Sequence, residues 1–235
     1  MTSSEWLAYF QSNVQKPQDM PWDLHAMLTP EQRKVLVPSL QAFQRGEGSE
    51  GTNLTMNAKR YGEATGDVDY ANCIALFIRE EQKHAAFLAL YLRDLGEPCL
   101  TSTWTDRVFR RLRKGVPLEP SLTVLLTAEI MAMTYYPAVS RAVECPLLKR
   151  ICARIEADES KHLQFQSEWI GKLRREYSAP RRWLWKMGHR FLYAGTATVV
   201  WFSYGAAFRA GGHSFGSYWK ACWRAFLPCE ARMTA

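Results

Sequence analysis

The sequence predicts an all-α fold, a four-helix bundle built from two helix hairpins joined by a long crossover. Three observations carry this. Four long segments repeat apolar residues at helical spacing, and short turn-forming stretches join them in pairs. A long mixed stretch separates the two pairs, and no alternating run is long enough to compete as a strand. With 235 residues and 47% hydrophobic composition, the chain has enough apolar material to bury a substantial core.

In residues 31–60, Leu36, Leu40, Phe43 and Leu54 are separated by steps of three and four or their sums, so they share one helical stripe. Glu47 and Glu50 lie on that stripe as well. The segment YGEATGDVD then reads as a turn, and Tyr70 to Asp94 resumes helical spacing through Ile74, Phe77, Ile78, Phe87, Leu88 and Tyr91. Gly96 and Pro98 close this hairpin. After the mixed stretch comes a helix over about Glu119 to Val143, almost wholly apolar between Glu119 and Arg141 apart from Glu129 and a few hydroxyls, which marks it as buried on most sides. A turn at Cys145 and Pro146 leads into the fourth helix, about Leu147 to Tyr177, ending before Pro180. The expected organisation is an accessory segment over 1–30, the bundle over 31–177, and a helical tail over 178–235 packed on it.

The net charge of +7 is unevenly distributed. Residues 1–104 hold 9 basic against 13 acidic residues, whereas residues 172–235 hold 11 against 2. Arg107, Arg110, Arg111, Arg113 and Lys114 form a second basic cluster ahead of the third bundle helix. Such patches suit an acidic protein, an RNA backbone or an anionic membrane surface, or they are simply solvated faces. The tail also carries Trp183, Trp185, Trp201, Trp219 and Trp223, and an uncharged run over 191–208. That run is expected to pack on the bundle, with a peripheral membrane contact as the alternative. The N-terminus lacks the features of a secretory signal, which gives the cytoplasm as the expected location. Six scattered cysteines without a CxxC pair argue against a zinc or disulfide framework and for reduced, mostly buried thiols.

The chemistry resides in two Glu-x-x-His motifs, Glu81/His84 and Glu159/His162. Residues three apart lie on one helix face a turn from each other, so each pair can reach a single metal ion. Lys83 and Lys161 take the outward position within each motif. A single motif is not diagnostic, but each follows a helix with an acidic residue on its apolar stripe. In an antiparallel hairpin, residues equidistant from the turn come level. The midpoint of Glu129 and Glu159 is residue 144, inside the second turn. In the first hairpin both Glu47 and Glu50 pair acceptably with Glu81 across the YGEATGDVD turn.

This set, with EQKH at 81–84 and ESKH at 159–162, resembles the ferritin-like di-iron carboxylate superfamily, which includes rubrerythrins, ribonucleotide reductase small subunits and di-iron oxygenases. The resemblance implies the ferritin-like bundle and two metal ions, iron first and manganese as the alternative. It implies Glu81, His84, Glu129, Glu159 and His162 as ligands, with Glu47 preferred to Glu50 as the ligand from the first helix. It further implies an oxidoreductase using O2 or peroxide, with a small-molecule substrate, an electron donor and homodimerisation as expectations. Competing readings are iron storage, a tRNA-modifying hydroxylase, and a membrane-peripheral scaffold with a vestigial site. Tyr61, Tyr135 and Tyr136 are expected as core filling before any redox role. Glu80 and Glu156 are expected in solvent, and His25, His189 and His213 as ordinary histidines outside the bundle.

Overall fold

A computed structural model describes residues 1–16 and 20–234, and nine α-helices account for the regular structure among them. They are α1 (Ser3–Gln15), α2 (Pro30–Glu47), α3 (Thr52–Thr65), α4 (Val68–Asp94), α5 (Trp104–Arg113), α6 (Leu118–Ala142), α7 (Pro146–Arg174), α8 (Ala179–Ala210) and α9 (Phe215–Thr234). The chain divides into two compact units. One comprises 1–27 and 37–121, the other 28–36 and 122 onward.

In the first unit, the stripe over residues 31–60 belongs to two helices instead of one. The backbone leaves the helix after Glu47 and turns through Gly51, whose φ of +63° is a left-handed conformation that glycine adopts without strain. A Cβ there would also collide with Ile78. The α3–α4 connection is tight, with Gly66 in the left-handed region and Asp67 capping α4 by accepting from the Tyr70 backbone N–H. Helix α1 begins with a capping box between Thr2 and Glu5 and buries Trp6 and Phe10. It packs on α4, where the Ser3 hydroxyl donates to Asp67 and Cys73 Sγ approaches the Ser3 carbonyl.

The crossover contains one further helix, α5, which sits against its unit by a polar face. Buried Asp106 takes Arg110 Nε at 2.6 Å and Arg45 Nε at 3.3 Å. The Asn53 and Asn57 amides hold the carbonyls of Arg113 and Val116.

The second unit is organised around α6, whose most apolar 18-residue window is 78% buried. Among the described residues this helix alone is long and apolar enough to cross a membrane, but its burial is that of a core helix. Pro146 opens α7 at a position where its missing N–H costs nothing. The tail forms α8 and α9. Tyr193 stacks on Phe226 and donates to the Cys222 carbonyl, while Tyr218 donates to the Ala197 carbonyl. Helix α9 lies on α7, where buried Arg174 reaches the Met233 sulfur and the Thr123 hydroxyl. All six cysteines are free, and only Cys99 is exposed.

His189, expected as an ordinary histidine, is buried. The Thr127 hydroxyl donates to the Thr123 carbonyl at 2.8 Å, so its oxygen receives the His189 Nε2–H at 3.0 Å and fixes the neutral tautomer. Burial, aided by the charge of Arg174, lowers the His189 pKa to about 3. The unfolded chain binds this proton from about pH 6.5 downward and the folded chain does not, so stability falls as the pH drops through that window. Between pH 7 and pH 5 this residue should cost about 2 kcal/mol. Urea unfolding at both pH values should show that difference, and His189→Gln should remove it.

Candidate metal centre

Two helices of the first unit supply one group of donors. Glu47 is the last residue of α2, where its side chain is buried, and Glu81 and His84 share one face of α4. Each offers a ligand atom, and these atoms all lie within 4.8 Å of one another. Glu50 is exposed, beyond the end of α2 and outside this group.

The second unit repeats the arrangement. Glu129 on α6 and Glu159 with His162 on α7 are buried, and their ligand atoms also lie within 4.8 Å of one another. His84 Nδ1 stands 3.8 Å from Glu81 Oε1, and His162 Nδ1 stands 3.8 Å from Glu159 Oε2. These distances exceed a hydrogen bond but suit two donors on one ion, which lie about 3–4 Å apart when each bond is about 2.1 Å. Carboxylate and imidazole donors of this kind suit iron and manganese. Each unit therefore contains a buried group of Glu and His side chains that could hold a metal ion. Without a cation, such buried carboxylates cost several kcal/mol each, so the donor set fits that role.

Side chains outside the motifs hold the donors in place. Gln166 Nε2 donates to Glu129 Oε1 at 2.6 Å, both atoms buried. Sequence reasoning passed over Gln166, although it lies four residues after His162 on the same face of α7. Gln166→Leu should lower metal affinity about 10–100-fold while leaving the fold intact, as measured by competitive chelator titration.

Glu80, expected in solvent, is 1% exposed. It accepts from Asn13 Nδ2 at 2.6 Å because α1 covers that side of α4. The corresponding residue before the other motif, Asp158, is also buried and takes Arg154 Nε at 2.9 Å. Glu156 is half-buried, and Tyr135 and Tyr136 are fully buried in edge-to-face contact. Burial pushes the Cys229 thiol up to about 11, opposed by Arg232 and reinforced by the negative charge of Glu129.

Paired carboxylate and imidazole donors thus recur on the helices of each unit. No family model and no curated protein matches the chain by sequence. A solved structure matches in fold: a variant of an R2-like ligand-binding oxidase with an aerobically reconstituted Mn/Fe cofactor. The TM-score is 0.68 at 16% identity, with 99% of this chain and 93% of that one covered. The chain has the ferritin-like helical fold.

Proposed function

We propose that this protein is a two-metal oxidase. Glu47, Glu81 and His84 take one ion, and Glu129, Glu159 and His162 take the other. The observation that carries this reading is the repetition of one triad, a Glu from one helix and Glu-x-x-His from the next, with all six side chains buried. The fold shared with a protein that carries a Mn/Fe cofactor supports it. When bound, the metal pair supplies electrons for reducing O2 or a peroxide.

The chain's own groups do the rest. Gln166 fixes the orientation of Glu129 by donating to one carboxylate oxygen, leaving the other for a metal. Burial of His84, Glu159 and His162 excludes bulk water and strengthens their attraction for a cation. Tyr135 and Tyr136 fill the apolar surroundings of α6.

The test is anaerobic reconstitution with Fe(II), alone and with Mn(II), followed by exposure to O2. Two metal ions per chain, with O2 consumption and a new near-ultraviolet absorption band, are expected. Fewer than two ions, or no optical response to O2, removes the reading.

A further inference from the structure

Helix α8 presents an apolar ridge to solvent. Leu184, Gly188, Phe191, Gly195 and Phe202 are all exposed, and they follow one another at steps of four, three, four and seven, which places them on a single stripe. Phe191 is 84% exposed, Phe202 79% and Leu184 64%, values far above what an isolated surface residue of these types needs to show. The stripe runs for about 27 Å at 1.5 Å per residue and stops short of Tyr204, where the helix geometry breaks. The opposite side of α8 is committed to the protein through Tyr193, Ala197 and Phe208. The helix is therefore placed to lie along a surface and cannot cross one.

Its charge pattern names the surface. Helix α8 holds Arg181, Arg182, Lys186, Arg190 and Arg209 and no acidic residue. Exposed Arg181 precedes the ridge and exposed Arg209 follows it. The tail over 178–235 carries eight basic residues and a single acidic one, Glu230, which is already bound in bidentate fashion by Arg190 at 2.6 Å. A second copy of α8 offers no anion to these cations. An anionic bilayer offers both phosphate groups for the arginines and hydrocarbon for the phenylalanines.

We propose that α8 docks the protein on an anionic membrane surface, with Leu184, Phe191 and Phe202 inserted at the acyl boundary and Arg181 and Arg209 among the headgroups. This rests on the tail alone and stands or falls independently of the metal reading.

The experiment is flotation of the full, metal-loaded chain with vesicles of phosphatidylglycerol and phosphatidylcholine, and with phosphatidylcholine alone. The chain should float with the anionic vesicles, and pure phosphatidylcholine should retain far less. The Phe191→Asp/Phe202→Asp double variant should lose at least about a hundredfold in partitioning, since two large apolar side chains leave the bilayer. Because both residues are exposed, its helix content and metal content should stay unchanged. The Arg181→Gln/Arg209→Gln variant should lose roughly tenfold or more, and most at low salt. Failure of the wild type to float, or unaltered flotation of the phenylalanine variant, overturns the proposal. So does a wild-type dimer that ignores vesicles and that the phenylalanine variant splits into monomers, since a second copy is then the occupant.

Discussion

Replacing Glu159 by alanine should reduce the reconstituted chain from two metal ions to at most one and weaken the remaining binding more than about a hundredfold, since a direct donor should matter more than the supporting contacts whose loss costs 10–100-fold. Glu159 is fully buried on α7, with a donor atom within 4.8 Å of those of Glu129 and His162. Its removal also leaves those two groups buried with less to hold a cation between them. Glu50→Ala should leave metal content unchanged, because that side chain is exposed beyond the end of α2. Elemental analysis of both variants, prepared in parallel, separates a specific centre from general binding by acidic residues. If Glu159→Ala retains two ions, the triads are not the ligands.

The second large effect is structural. Gly211, at the carboxyl end of α8, is buried, and a Cβ built on it would overlap the Ala138 backbone of α6, standing 2.7 Å from the Ala138 carbonyl carbon and Cα and closer still to its oxygen. The Gly211 backbone is tied down, because its carbonyl accepts from Arg141 Nε and its N–H donates to the Ala207 carbonyl, and Ala138 lies within α6. Gly211→Val should therefore destabilise the metal-loaded protein by about 3–5 kcal/mol and lower its Tm by about 10 °C. Urea and thermal unfolding measure it. A variant within 1 kcal/mol of the parent would show that α6 and α8 do not approach as closely as described.

Much of the fold was legible because each long helix carries its own periodicity. The spacing of α4, α6 and α7 brought out their extents to within a few residues, and the order of hairpin, crossover and hairpin followed from the turn residues between them. The break between α2 and α3 was hidden by Leu54, which continues the stripe of Leu36 in register across the gap. The three glycines at 46, 48 and 51 were the signal that should have prevailed. Helix α5 was hidden for a different reason. Its exposed apolar residues and buried Asp106 invert the usual pattern, so reading it correctly requires Arg45, a residue from another helix.

The candidate site divides similarly. Spacing singled out Glu81, His84, Glu129, Glu159 and His162 and left Glu47 and Glu50 as alternatives on the first helix; the structure buries those five and Glu47. The choice between Glu47 and Glu50 lay beyond the sequence, because both fit the stripe and the turn count. It depends on where the backbone leaves the helix. Glu80 was misjudged because the amide that receives it, Asn13, lies 67 positions away on α1. Local periodicity carries no trace of such a partner.

Because α2 stops at Glu47, that carboxylate sits where the helix presents its last carbonyl oxygens, at the negative end of the helix dipole. The basic side chain in the last turn, Arg45, is turned toward Asp106. A cation held by Glu47 would thus interact with the C-terminal end of α2, as a basic side chain in the last turn of a helix can. Metal occupancy would then be legible far from any turnover assay, as slower amide exchange in the final turn of this helix and in the glycine-rich link that follows it.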